Sequence, residues 1–359
     1  MSFKKRVTSV VICFSVILGS FGFVFADSSR VVTLGANLTP EQRQTMLKYF
    51  GVKQNEAVIL DVNNQEERKY LQGIAPESQI GTKTYSCAYV EPTKSGSGIN
   101  VKTANITWVT SAMIASTLSS LGITDANCVI AANFPVSGTG ALTGVMKAYE
   151  DATGKKLDEN KKEIATKELI VTGDLGQDIG KDKATGIVND IKTQVIKNNT
   201  KDTIQIADTI NNITNNYNVS LSPEQKKQLE DLMVKISKQD YDYSKMKDAL
   251  KDVSSTVNEN LKTLGETVNN SGIFDKIKDW FSNLTSSKDE SLGILEKTND
   301  SLLGENAKID ATNKEAINLP SNEEVEGLLS KIWHWFTGFF NDNSNTENST
   351  LDSNENQNN

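Results

Sequence analysis

Short apolar runs separated by polar turns dominate the first third of the chain and predict β-strands. Runs of this kind occupy residues 31–34, 57–62 and 127–134. The segments 83–92 and 98–110 alternate apolar and polar residues on either side of a Gly-Ser turn, which predicts a β-hairpin. Together these runs predict a β-sheet near the start of the chain.

Helical periodicity occurs between these runs. Residues 38–52 begin with an N-terminal helix signature, in which Thr39 suits the N-cap and Gln42 closes a capping box. Apolar residues at helical spacing predict another helix over 111–122. This mixture of strands and helices predicts an α+β head domain over residues 27–153.

Beyond the head, strand signals fade and the apolar spacing becomes helical. Ile187, Ile191 and Val195 fall on one helical stripe. Apolar residues between 246 and 264 keep the near-heptad spacing that is typical of a coiled coil. The pattern predicts a long, mostly helical region over 154–268, arranged as a hairpin or bundle.

Two later segments share the pattern K-I-x-x-W-F and predict amphipathic helices with wide aromatic faces. The first covers residues 269–284 and the second 321–340. A polar linker is predicted between them at 285–320, and a disordered tail at 341–359. Each face must be buried against the other face, the helical bundle, a second chain or a membrane surface. The candidate interaction residues are Trp280, Phe281, Trp333, Trp335 and Phe336.

The N-terminus and the charge of the chain bear on where it works. Residues 1–26 place a basic group before an apolar stretch and predict a secretory signal peptide, cleaved near Ala26. The chain holds 46 acidic and 38 basic residues, a net charge of −8. Such a charge disfavours binding to nucleic acid through bulk electrostatics. We therefore expect a secreted, extracellular protein that binds no nucleic acid.

The cysteines and the single histidine limit the redox and metal chemistry that we expect. Outside the predicted leader the cysteines are Cys87 and Cys128, both in strand-like runs. In an extracellular protein they can form a disulfide, and the alternative is two separately buried thiols. His334 is distant in sequence from both, so no zinc set is predicted. No metal and no cofactor are expected.

The most suggestive motif is FPVSGTGALTG at residues 134–144. A phosphate-binding P-loop needs a lysine where Val145 stands, and the glycine spacing differs from that of dinucleotide sites. A Ser-His-Asp triad would need a histidine near Ser137. The favoured interpretation is a tight strand-to-helix joint, with Gly138 in the turn and Ser137 or Thr139 as the helix cap. The alternative is an anion-binding turn formed by Ser137, Gly138, Thr139 and Gly140.

Several stretches carry a family resemblance. They include VTLGANLTPEQRQTMLKYFGV, NITWVT, LGITDANCVIAANFPVSGTGALTG and KAYED, which follow one order between residues 31 and 153. In this set the chain resembles the YpuA-like exported proteins of Gram-positive bacteria, the domain of unknown function 1002. The resemblance implies export, and it implies no known activity, substrate or catalytic residue.

The sequence favours a non-enzymatic secreted or cell-surface protein of the Gram-positive envelope. Its aromatic helices would serve self-association or contact with an envelope protein, and contact with a membrane surface is an open alternative. The competing hypothesis is an extracellular hydrolase that acts on cell wall or polysaccharide through paired carboxylates. Its candidate carboxylates are Asp61, Glu150 and Asp151. A turn cap explains the first of them, and a solvated helix end explains the other two.

Overall fold

A computed structural model describes the chain from residue 30 to residue 317 with gaps. The described residues are 30–53, 56–266, 268, 292–304 and 306–317.

Several sequence predictions lie outside the described residues. These are the signal peptide at 1–26, the aromatic segments at 269–284 and 321–340, and the tail at 341–359.

A mixed six-stranded sheet has the order β2-β1-β3-β5-β4-β6. The pairs β1–β2 and β4–β5 are parallel, and the remaining pairs are antiparallel. Together with the helices, this sheet confirms the predicted α+β fold. The strands are β1 (Val31–Gly35), β2 (Val58–Val62), β3 (Cys87–Pro92), β4 (Ile99–Ile106), β5 (Ala126–Val136) and β6 (Ile309–Ala311).

Helices cover the sheet and make up the region that follows it. The capping box predicted at the first helix is present, since the Thr39 side chain accepts from the Gln42 amide and the Gln42 side chain accepts from Thr39. The helices are α1 (Pro40–Tyr49), α2 (Asn64–Leu71), α3 (Glu77–Ile80), α4 (Ser111–Ser120), α5 (Ala141–Thr153), α6 (Glu159–Ile179), α7 (Lys181–Lys197), α8 (Thr203–Asn216), α9 (Pro223–Ser237) and α10 (Tyr243–Thr263).

The predicted hairpin between the third and fourth strands is wrong. β5 lies between β3 and β4, antiparallel to the first and parallel to the second. The Gly-Ser turn is held by Asp125, whose Oδ1 accepts from the Gly96 and Gly98 amides at 2.6 and 3.2 Å. Alternation identifies a strand but not its neighbour, so a later strand could insert between the two.

The head and the helical region share one hydrophobic core. A continuous cluster of buried side chains runs from Val31 in β1 through α4 and α5 to Leu261 in α10. The helical residues Ile187, Ile191 and Val195 of α7 belong to it and are at most 1% exposed. α5 ends at Gly154 in a left-handed conformation, at the predicted domain boundary. The apolar core nevertheless continues across that boundary.

The other face of the sheet is covered by α1 and by residues 292–317, which we call the strap. Its described part contributes β6 and buries Leu292, Ile294, Leu295 and Ala316. This part of 285–320 is therefore not the predicted polar linker. Its apolar residues are few and irregularly spaced, so its sequence carries no periodic signal.

Candidate functional site

The glycine-rich motif forms the joint between β5 and α5. Gly138 has a φ of +83°, and a Cβ there would overlap the Ile106 side chain, so the predicted tight turn is confirmed. Thr139 Oγ1 donates to the Gln79 carbonyl at 2.8 Å. The N-cap of α5 is Gly140, which has no side-chain cap, so the prediction that Ser137 or Thr139 caps this helix is wrong. The Ser137 hydroxyl lies 3.3 Å from Thr139 Oγ1, and Ser137 is exposed.

A carboxylate of the protein fills the turn that was a candidate for binding an external anion. Glu67, in α2, is 3% exposed. A Cβ built on Gly140 would overlap its carboxylate, so a larger residue at this position would displace the Glu67 side chain. Asn64 Nδ2 donates to Glu67 Oε2 at 3.2 Å. The N-terminus of α5, which favours negative charge, thus has an internal carboxyl group beside it.

Burial controls the protonation of this carboxylate. Desolvation raises the pKa of Glu67 to about 7, against the lowering effect of the bond from Asn64. A carboxyl of this pKa suits proton transfer near neutral pH. Here, however, the group is enclosed by the joint. Its neighbour Glu66 instead serves the N-cap of α2 and pairs with Lys147.

Two of the carboxylates that the hydrolase hypothesis singled out lie in separate ion pairs, and the third is exposed to solvent. Asp61 contacts Arg43 at 2.7 Å and is exposed over 59% of its side chain. Glu150 contacts Lys162 at 2.7 Å and accepts from the Leu157 amide at 2.8 Å. Asp151 is exposed. The two paired carboxylates therefore have separate structural roles and do not face each other as a catalytic pair.

Cys87 and Cys128 do not form the disulfide that was one alternative. In the β3–β5 register Cys87 lies opposite Ala131, and Cys128 lies opposite Val90. This offset of three residues points the two thiols to opposite faces of the sheet. Cys87 packs beneath α1 and the strap, and Cys128 packs on the side of α4 and α5. Both are free and buried, and burial raises the pKa of both thiols.

A buried lysine cluster joins α4, α6 and α7 and was missed by the sequence analysis. Lys192 is fully buried, and its Nζ lies 2.8 Å from Glu168 Oε1. The ammonium also lies 3.0, 3.0 and 3.1 Å from the hydroxyls of Ser116, Ser119 and Ser120. The serines occupy one face of α4 at spacings of three and four. That spacing was the available signal of a polar helix face. The lysine that contacts it could not be predicted, because a lysine is expected at the surface.

The lysine cluster contains groups that also occur in serine–lysine nucleophile pairs. Burial lowers the pKa of Lys192, and the nearby Glu168 carboxylate opposes that effect. The three serines are at most 3% exposed. Tyr241 shields this cluster, since its hydroxyl donates to the Ser120 carbonyl at 2.6 Å. The arrangement is a closed polar core.

A second buried network lies next to it in the helical region. The Tyr217 hydroxyl donates to Asp190 Oδ2 at 2.7 Å, and the Ser254 hydroxyl donates to Asp190 Oδ1 at 2.7 Å. Asn189 Nδ2 donates to Ser254 Oγ at 2.9 Å. Burial raises the pKa of Asp190 to about 6, although these bonds favour the ionised form. Both networks therefore give buried polar groups their partners.

The surface of the described residues has shallow depressions with mixed charge. One, of about 510 Å³, lies above Tyr241 and is lined by Lys161, Lys245, Asp240 and Asp242 among others. Within the described ranges, no helix has the length and apolar character needed to span a membrane.

The comparisons with known proteins define the class to which this fold belongs. The model of the proteins of unknown function called DUF1002 matches residues 34–253, more than half of the chain. The chain therefore belongs to the DUF1002 family, as the resemblance in the sequence predicted. The match includes the joint, Glu67 and the lysine cluster, and it ends before the strap.

One relative in particular is similar to this chain. It is the uncharacterized protein YpuA of Bacillus subtilis (strain 168), which is 36% identical over 221 residues. The alignment covers 61% of this chain and 76% of that protein. No solved structure matches this chain with significance.

Proposed function

We propose that this chain is a secreted or cell-surface protein of the Gram-positive envelope that acts by binding and not by catalysis. The two K-I-x-x-W-F segments are its contact surfaces, and Trp280 and Trp335 are their principal anchors. Aromatic residues of this kind dominate the energy of protein interfaces.

The observation that carries this proposal is the docking of the strap. The strap lies in sequence between the segments 269–284 and 321–340, and Lys102 fastens it to the sheet. Both aromatic segments therefore continue from a part of the chain that is fixed to the head. The reactive groups described above support the same conclusion, because Glu67 and Lys192 are enclosed and have partners within the protein.

Replacing both Trp280 and Trp335 by alanine tests this function. We expect the variant to keep the thermal midpoint of the wild-type protein, because these residues contact a partner and not the core. It should lose association with isolated envelopes and any self-association, measured by co-sedimentation and light scattering. Tyr243→Ala, at the start of α10, is the matched loss of an aromatic side chain and should leave association unchanged.

A lower midpoint with unchanged association would mean that the aromatic segments pack on their own chain, and the proposal would then fail. Hydrolysis of wall polysaccharide by the purified protein, abolished by Glu67→Gln, would favour the carboxylate-based hydrolase instead.

A further inference from the structure

The strap lies in a groove on the head that is built from residues far from it in sequence. The floor is the apolar face of the sheet under α1, and the side is the open edge of β4. Ile294, Leu295 and Ala316 are fully buried there. The strap therefore occupies the groove as a bound peptide would.

A buried lysine is the polar anchor of this groove. Lys102, in β4, is fully buried. Its Nζ donates to Thr298 Oγ1 at 2.7 Å, to Asp300 Oδ2 at 2.8 Å and to the Ala316 carbonyl at 3.0 Å. All of these acceptors belong to the strap. A charge this deeply buried is strongly destabilised without them, so the groove is selective for a segment that supplies them.

Main-chain bonds add a second layer of recognition. β6 pairs with β4 so that Ala311 lies opposite Lys102. Beyond the paired residues, the Asn105 amide donates to the Lys308 carbonyl at 2.7 Å. Asp310 accepts from the Ser111 amide at the start of α4, also at 2.7 Å. These contacts are those of a peptide that adds a strand to a sheet edge.

Chain connectivity does not restrict the strap to its own head. The chain has 25 residues between Glu266 and Leu292, and a segment of that length can span at most about 85 Å. Exchange of an identical element between copies is a low-cost route to association. We infer that the groove is a strand-exchange site, in which the head of one copy accepts residues 292–317 of a second copy.

The second copy is the partner because the groove matches the strap of this chain at every anchor. It needs a hydroxyl and a carboxylate two residues apart, which are Thr298 and Asp300, together with the apolar residues before them. The groove is a separate surface from the aromatic segments, and exchange does not depend on their role.

A pair of full-length variants tests the exchange. Lys102→Met damages the groove and leaves the strap intact, whereas Asp300→Asn damages the strap and leaves the groove intact. In a mixture, the intact groove of one copy can take the intact strap of the other. Analytical ultracentrifugation after brief partial unfolding should show at least tenfold more dimer in the mixture than with either variant alone.

Matched controls are Lys238→Met and Asp208→Asn, whose side chains are exposed and outside the groove. A mixture of these two should contain no more dimer than the wild-type protein. If both variants fold and their mixture contains only monomer, the proposal of strand exchange is overturned.

A peptide measurement decides the question if either variant fails to fold. A protease site is placed between residues 285 and 291 of the full chain and cut, and labelled peptide 292–317 is added. The peptide should displace the strap in a saturable way. In a folded Lys102→Met protein, the affinity for the peptide should be at least tenfold weaker. A folded, cut protein that takes up no peptide would also overturn the proposal.

Discussion

The two cysteines show at the residue scale how strand register decides chemistry. Composition alone left a disulfide open, but the offset between Cys87 and Cys128 directs the thiols into different halves of the core. We expect both to react with an alkylating reagent after denaturation without reductant, as measured by intact mass. A mass that shows neither thiol modified would contradict the register.

Glu67 gives a pH dependence of stability with a definite sign. Its folded pKa of about 7 lies above the value of 4.5 for a free carboxyl, so the folded state binds its proton more tightly. The contribution to stability is therefore present at low pH and is lost as the pH rises from about 4.5 to about 7. The loss is on the order of 3 kcal/mol in the free energy of unfolding.

Glu67→Gln tests this dependence because the amide has the same shape and does not ionise. Urea denaturation between pH 4.5 and 8 should show that the free energy of unfolding of the variant rises relative to that of the wild-type protein as the pH rises. Asp208→Asn, an exposed position of α8, should show no such gain. Parallel pH profiles for wild type and Glu67→Gln would mean that the joint does not shift this pKa.

At the element scale, the lysine cluster ties three helices together. Lys192→Met leaves the Glu168 carboxylate buried without its ion-pair partner, although the Ser116 and Ser120 hydroxyls still donate to it. We expect this to cost about 3–5 kcal/mol of stability. The double variant Lys192→Met with Glu168→Leu should lose less than the sum of the single losses, as measured by chemical denaturation. Lys238→Met on the surface should stay within about 0.5 kcal/mol of wild type. Additive losses would show that the pair is not coupled.

Elements defined by local chemistry were predictable from the sequence, whereas their partners were not. The capping box at Thr39 and the stripe of Ile187 depend on residues a few positions apart, and both are as expected. The hairpin failed because β5 arrives later in the chain and inserts between its strands. The strap was missed because its few apolar residues follow no period, and its anchor is a lysine some 200 residues earlier.

The sequence predicted the turn of the candidate site but not the side chain that fills it, for a related reason. The glycines of the joint stood out, and the turn at Gly138 followed from them. The group that fills the turn did not, because Glu67 is one of two adjacent glutamates with ordinary surface neighbours. Only the packing of α2 against α5 distinguishes it from Glu66.

At the scale of the whole molecule, the continuous core predicts one unfolding transition. Side chains of the head and of the helical region belong to the same apolar cluster, so neither can lose its packing alone. Calorimetry should show a single peak, with equal calorimetric and van't Hoff enthalpies. Two separated peaks would mean that the predicted boundary near Gly154 divides independent units.

The long separation between the strap and its anchor also orders events while the chain is being made. Lys102 and Ala316 are 214 residues apart, so β4 is synthesised long before the segment that covers it. A nascent or prematurely terminated chain therefore presents an unpaired strand edge beside a buried lysine without acceptors. Such edges recruit other strands, and contacts this distant in sequence form slowly. Incomplete chains of this protein should consequently be its most aggregation-prone form. The last strand of the sheet protects the complete chain, because it pairs with the edge of β4.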